Sequence, residues 1–260
     1  MLRPRLIACL LIHSGGLVKT VNFANTKYVG DPINAVRIYN EKEVDELVVM
    51  DIGATVKGVE PDYQMISHLA SQCRMPLCYG GGVRTIAQFE KIISLGVEKV
   101  AVSAAAVETP KLISGAASRI GSQSVVVVID IKKTGLLRRY EVVTHNGTFR
   151  TGLNPVDFAR CVADLGAGEI IVNSVDCDGE MKGYDLELVE IIRQAIKLPL
   201  TVLGGAGSLG DIKELINRYS IIGAAAGSLF VFKGKYRAVL INYPNSAEKE
   251  DLFRQLNFVS

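Results

Sequence analysis

The sequence predicts an α/β chain closed as a (β/α)8 TIM barrel built from two half-barrels. Three observations predict it. Apolar runs of strand length alternate with helical stretches along the whole chain. The spacing of the first half recurs in the second. The 260 residues, 48% of them hydrophobic, suffice for one large core and match the ~250 residues typical of such a barrel.

The strands read as 5–11, 46–51, 76–80, 98–103, 124–130, 169–175, 200–204 and 221–226. Each is nearly continuous in apolar residues, as in a parallel sheet buried on both faces. Helix start signals fall between them. Asp31-Pro32, Pro61, Pro110, Asn154-Pro155 and Asp185 suit N-cap or first-turn positions. An open doubly wound sheet would show the same alternation; the internal repeat argues for closure. Glu46 lies 34 positions before Gly80, and Glu169 lies 35 before Gly204. Gly81 to Ser103 and Gly205 to Gly227 are both 22. Each half repeats charge, strand, glycine cluster, strand and small residues, and two four-unit halves make eight. A single domain over 1–260 is expected.

Two insertions break the rhythm. Ser14 to Gly30 is a long connection where a βα loop usually has about 2–6 residues, so it is a lid candidate. After the fifth strand, 138–144 and 148–151 flank His145-Asn146-Gly147, an Asn-Gly hairpin signal.

Composition excludes several function classes. A net charge of +2 gives no electrostatic reason to bind nucleic acid or a membrane surface. The longest uncharged apolar stretch, 220–232, falls short of the about 20 residues that span a bilayer, and Gly and Ser interrupt it. Arg3 and Arg5 before 6–12 imitate a signal peptide, but no small-residue cleavage site follows. A cytoplasmic protein is expected. Cys9, Cys73, Cys78, Cys161 and Cys177 are scattered and odd in number, so buried free thiols are expected over disulfides or zinc. His13, His68 and His145 lie far apart. Neither a metal nor a cofactor is expected.

Glycine clusters carry the first chemical signal. Gly80-Gly81-Gly82 follows the third strand, and Gly204-Gly205-Ala206-Gly207-Ser208 repeats it after the seventh. Glycine lets backbone N–H groups approach an anion, and a helix N-terminus adds partial positive charge. Gly82 with Ser103 and Ala104 would form one phosphate site; Gly205 with Gly227 and Ser228 would form the other. The bland reading is that these glycines only permit tight turns. Two sites on opposite walls suit a ligand with a phosphate at each end.

Strand parity carries the second. Residues two apart share a face. If the upper residues of the strands face the lumen, so do Arg5, Lys99 and Glu169 at the other end, and Glu46 opens the second strand in the same way. Two cations and two anions would ring the N-terminal mouth. Parity alone favours a structural ion ring, because that face of a barrel usually serves stability. At the other mouth, Asp130 ends the fifth strand where Leu11 ends the first. Facing carboxylates could share acid and base work; here one of the pair is a hydrocarbon.

The motifs now have a family likeness. Val21-Asn22-Phe23, Gly30-Asp31-Pro32, Asp45-Glu46-Leu47-Val48, Gly80-Gly81-Gly82, Ala105-Ala106-Val107-Glu108, Gly121-Ser122-Gln123, the 125–130 strand, Gly166-Ala167-Gly168-Glu169, Asp176-Cys177-Asp178-Gly179, Gly183-Tyr184-Asp185 and Gly204-Gly205-Ala206-Gly207 are together highly specific. Over essentially its full length the chain resembles the cyclase subunit of imidazole glycerol phosphate synthase. The resemblance implies a half-barrel duplication and ammonia passed through the lumen from a partner glutaminase. It implies a bisphosphorylated nucleotide precursor as acceptor, turned into imidazole glycerol phosphate and a carboxamide ribotide. By position, Arg5, Glu46, Lys99 and Glu169 resemble the family's ammonia gate, which replaces the structural reading of the ring. Asp130 falls on a catalytic aspartate and Lys19 on the mobile-loop lysine. Asp51 and Asp178 match active-site acids, and Gly179 joins the substrate-binding set.

The departures gather at the C-terminal mouth. Leu11 stands where the family has its other catalytic aspartate. Gly53 replaces a threonine, Ser103-Ala104 an Asn-Thr pair, Asn173 a threonine, Glu180 a threonine and Leu203 a serine. Losing one general acid costs about 10²–10⁴-fold in rate. An intact gate with a broken acid pair resembles the paralogues that accompany an amidating ligase in surface-polysaccharide clusters. The segments 9–12 and 15–20 resemble that subgroup too. Three readings follow: an ammonia-conducting barrel for sugar amidation, with a glutaminase and an amidating ligase as partners; a working histidine-pathway cyclase; and a phosphosugar isomerase without a glutaminase, against which the ring argues.

Overall fold

The computed structural model describes residues 3–254. Eight parallel strands follow one another around a ring. They are β1 (Arg5–His13), β2 (Glu46–Asp51), β3 (Leu77–Gly80), β4 (Lys99–Val102), β5 (Val125–Thr134), β6 (Glu169–Ser174), β7 (Leu200–Leu203) and β8 (Gly223–Ala226). β8 pairs back onto β1, with Arg5 opposite Gly223 and Ala8 opposite Ala226, so the sheet closes and the open alternative is excluded. Strand ends agree with the sequence reading within two residues, except that β5 runs on to Thr134.

The helices between them are α1 (Pro32–Glu41), α2 (Tyr63–Gln72), α3 (Ile86–Ser94), α4 (Lys111–Ile120), α5 (Pro155–Asp164), α6 (Leu186–Ala195), α7 (Leu209–Tyr219) and α8 (Ser246–Phe253). Asp31, Asn154 and Asp185 cap α1, α5 and α6 with side-chain oxygens, as read; α2 is capped by Asp62, one residue beyond Pro61. The duplication reaches the caps. After β3 and β7, α3 and α7 both open on reciprocal capping boxes, Thr85 with Gln88 and Ser208 with Asp211.

Parity divides the buried residues into two clusters. Leu6, Leu10, Leu47 and Val49 face outward onto Tyr39, Phe89 and Ile212 of the helices. Ile7, Cys9, Val48, Cys78, Ala101, Val126, Ile171 and Ala225 face one another inside the barrel. The lumen is therefore packed with apolar side chains at mid-height, as the alternation of Cβ directions demands.

The first insertion is antiparallel sheet, not loop, and the second is the hairpin that its Asn-Gly signal predicts. Gly16–Val21 and Ala24–Gly30 form a hairpin whose first strand pairs with the end of β1, Leu11 opposite Val18. Its turn places Asn22 and Phe23 at φ 51° and 63°, the left-handed pair of a tight hairpin turn. The overrun of β5 pairs with Arg139–Thr144, which pairs with Phe149–Arg150 across the Asn-Gly turn. The cysteine expectation holds only in part. All five thiols are free, but Cys161 is exposed and Cys73 and Cys177 are half-buried. Among the described residues no helix is long and apolar enough to cross a membrane.

Candidate functional site

The two mouths of the barrel carry the polar chemistry. At the N-terminal mouth, the first residues of β1, β2, β4 and β6 converge. Arg5 Nη2 lies 2.7 Å from Glu169 Oε1, and Arg5 also meets Glu46. Lys99 Nζ reaches Glu46 at 2.7 Å and Glu169 at 2.8 Å. Each carboxylate touches both cations, so the ring is neutral and each charge has two partners. Thr201 on β7 joins it, donating to Glu169 at 2.6 Å. Sequence reading missed Thr201, although a polar residue two positions below Leu203 on the same face was the available signal. Burial alone would raise the Glu169 carboxyl, but Arg5 and Lys99 outweigh it and hold it at about 2.

At the C-terminal mouth a cavity of about 150 Å³ opens. Asp130 stands in its wall. Asn173 Nδ2 donates to one of its oxygens at 3.0 Å, and Ser103 Oγ to the other at 3.2 Å. Burial pushes the Asp130 carboxyl up to about 6 against those two hydrogen bonds. Leu11 lines the same cavity from β1 and supplies no polar atom.

The lid candidate lies across this mouth. Lys19, 5% exposed, donates to the Cys9 carbonyl at 2.7 Å. Its ammonium sits 2.5 Å from where a Cβ on Gly227 would be. Burial lowers the Lys19 ammonium, opposed by Asp178. Thr20 donates to Asp178 at 3.0 Å, and the Asn22 N–H donates to the Asp178 carbonyl. Burial raises the Asp178 carboxyl against the Thr20 bond and Lys19. Gly179, at φ 71°, is needed because a Cβ there would stand 2.2 Å from the Thr20 carbonyl oxygen. From the other side, Asn146 of the Asn-Gly turn donates to the Ile52 carbonyl at 2.9 Å. His145 and Asn146 thus join the lining, which the sequence did not reveal.

The remaining expected residues divide. Asp51 lines the cavity, but one of its oxygens accepts from the N–H groups of Gly53 and Ala54, so it also caps the short Ala54–Lys57 helix. Gly82, Ser103, Ala104, Gly205, Gly227 and Ser228 all line the cavity. The Gly82 N–H donates to Thr55 at 3.3 Å. Gly205 is required by packing whatever it binds, since a Cβ would meet the Gly183 carbonyl at 2.0 Å. The short helices Ala104–Glu108 and Ser228–Val231 carry no side-chain cap, so their first N–H groups lack an intrahelical partner. Glu180 turns away from the cavity, to Lys182 and Asn22. Among the described residues no group of three or more His, Cys, Asp or Glu is placed to hold a metal ion.

The model of the histidine biosynthesis protein family matches residues 5–237. The chain belongs to that family. It is 59% identical over 253 residues to a Leptospira borgpetersenii protein named "Putative imidazole glycerol phosphate synthase subunit HisF", covering 97% of this chain and 100% of the relative. It is 54% identical to a Vibrio vulnificus paralogue named hisF3, covering 96% of each chain. To the Clostridium botulinum imidazole glycerol phosphate synthase subunit HisF it is 41% identical, over 90% of this chain and 92% of that one. The barrel is therefore HisF-like.

Proposed function

We propose that this barrel receives ammonia from a glutaminase subunit docked at its N-terminal mouth and releases it at its C-terminal mouth. Its acceptor is a surface-polysaccharide sugar undergoing amidation in the cytoplasm. One contrast supports the reading: the four-charge ring is complete, while the carboxylate expected across from Asp130 is Leu11. Arg5, Glu46, Lys99 and Glu169 act as the entry gate. The apolar lumen above them passes neutral ammonia more readily than ammonium, because a bare charge there would be costly. Asp130 serves as the proton-transfer group at the exit. The uncapped helix ends after β4 and β8 act as anion sites for a phosphorylated ligand, with Lys19 adding charge at the second and Asp178 and Gly179 holding the hairpin over it.

A second reading, a histidine-pathway cyclase, is favoured by one observation: Asp51 and Asp178 line the same cavity as Asp130. In that reading one of them supplies the second acid. Asp51 is committed to a helix cap and Asp178 to Thr20, so we place this reading second.

Reconstitution with the cognate glutaminase tests the proposal. The pair should associate, and the barrel should stimulate glutamine hydrolysis. Glu46→Ala or Lys99→Ala should uncouple hydrolysis from amination of the acceptor. A barrel that neither binds nor stimulates its glutaminase ends the idea.

A further inference from the structure

Among the described residues, one buried side-chain oxygen has no hydrogen-bond partner: Asn173 Oδ1. Asn173 is 4% exposed and lines the C-terminal cavity. A buried acceptor without a donor forfeits its hydration, at a cost of about 1–3 kcal/mol. While Asp130 is ionised, as it is once the ammonium has formed, the amide cannot turn to escape this. Its nitrogen donates to Asp130 Oδ1 at 3.0 Å, and the reverse orientation would set oxygen against carboxylate. The unpaired oxygen lies beside Gly204, where a Cβ would be 2.8 Å away, so the missing side chain there keeps the space next to it open.

The position of this oxygen is informative. Glu169, Ile171 and Asn173 follow one another up one face of β6. Glu169 belongs to the charged ring, Ile171 to the apolar lumen, and Asn173 meets Asp130 where the lumen opens into the cavity. A small molecule leaving the apolar stretch thus meets an acceptor with no donor and a carboxylate side by side. Ser103 and Asn173 take one lone pair on each Asp130 oxygen and leave others free.

We propose that Asn173 Oδ1 and Asp130 form an ammonium port at the exit of the lumen. The inference rests on the ammonia reading above and deepens it. The arriving species is neutral ammonia, the form an apolar lumen admits. At the port the protonated Asp130 carboxyl gives its O–H proton to the ammonia lone pair, leaving a carboxylate and an ammonium ion. The ammonium donates one N–H to Asp130 and another to Asn173 Oδ1. Return of that proton to Asp130 regenerates the nucleophile when the acceptor is in place. Asn173 is in this scheme a binding residue for the nitrogen, and it occupies a position where the sequence departs from the family pattern. Leu11, opposite, offers nothing that competes for the ion.

The test needs neither glutaminase nor acceptor, so it can fail while ammonia transfer stands, and the reverse. The intact chain is labelled at the aspartate γ-carbon, and the Asp130 signal is identified by its absence from Asp130→Asn. Its pKa is then followed by NMR in ammonium chloride and, at equal ionic strength, in tetramethylammonium chloride, whose cation has no N–H and is too large for the port. A ligand that binds only the ionised form lowers the pKa, by about one pH unit at tenfold excess over its dissociation constant. Ammonium should therefore give a saturable downward shift that tetramethylammonium does not. Asn173→Leu, or Asn173→Ala if that variant does not fold, should abolish the ammonium-specific shift. Identical titrations in the two salts would overturn the proposal, and the wild-type comparison decides this without any variant. An equal shift in potassium chloride would also overturn it, because it would mark a site for any small cation.

Discussion

The two mouths of the barrel bury charge in opposite ways. At the N-terminal mouth two acids and two bases saturate one another, and Glu169 is held at about 2. At the C-terminal mouth Asp130 has two neutral hydrogen-bond donors and, among the described residues, no ion-pair partner, and burial lifts it to about 6. One fold thus stabilises a carboxylate at one end of its lumen and penalises one at the other. A paired carboxylate holds its charge through any neutral-pH event, which suits a gate. An unpaired one exchanges its proton near neutrality, which suits a transfer step. The two ends should answer pH with opposite signs.

The largest effect is expected at the ring. Glu169→Gln keeps volume but removes the charge shared by Arg5 and Lys99. The folded pKa of about 2 lies below the unfolded value of ~4.3. Its contribution is therefore present above pH ~4.3 and lost as pH falls toward 2. At pH 7 it amounts to about 3 kcal/mol, in line with breaking a buried ion pair. Denaturant unfolding of wild type and variant should differ by that amount at pH 7 and by roughly half of it at pH 3. A difference that does not change between the two pH values would show packing, not charge, as the cause.

Asp130 should show the reverse. Its folded pKa of about 6 lies above the unfolded ~3.9. Ionisation therefore costs stability as pH rises from ~4 through 6, and nothing below ~4. Asp130→Asn should remove that cost. It should gain on wild type between pH 4 and pH 8 by at most about 3 kcal/mol, less whatever water in the open cavity screens. Thermal unfolding at the two pH values is the measurement. A variant whose margin over wild type shrinks with rising pH would contradict the assignment of Asp130 as the penalised group.

This asymmetry was only half legible in the sequence. Alternation of Cβ directions is geometry, so once the strands were placed, Arg5, Glu46, Lys99 and Glu169 had to meet at one level, and they do. Leu11 and Asp130 line one cavity, although the strands that carry them are nine and ten residues long and not equal. The hairpin over the cavity was not legible. Gly16–Val21 reads as a long connection because its strand character comes from pairing with the end of β1, a contact that local propensity does not encode. The depth of Lys19 and its approach to Gly227 follow from that pairing and were invisible for the same reason. The orphaned oxygen of Asn173 depends on which way one amide turns, which no spacing rule reports.

The smallest effect expected is the one that bears most directly on chemistry. Leu11→Asp would put a further carboxylate into the cavity that holds Asp130, Asp51 and Asp178, against only two acids at the N-terminal mouth. Two like charges in one buried cavity cannot both ionise cheaply, so the Asp130 pKa should rise further and the variant should be less stable than wild type at pH 8 by about 1–3 kcal/mol. The pair would then have one protonated and one ionised member, the arrangement that acid–base work on both sides of a forming ring requires. With free ammonium and the bisphosphorylated nucleotide precursor, wild type should turn over far below the common enzymatic range of about 1–10³ s⁻¹. Leu11→Asp should raise that rate, but by less than the ~10²-fold at the low end of general acid catalysis. Leu203 and Asn173, which also line the cavity, stay as they are. Direct assay of imidazole glycerol phosphate decides it. Wild-type turnover already within the enzymatic range would mean that Leu11 breaks nothing, and that Asp51 or Asp178 supplies the second acid from within the same cavity.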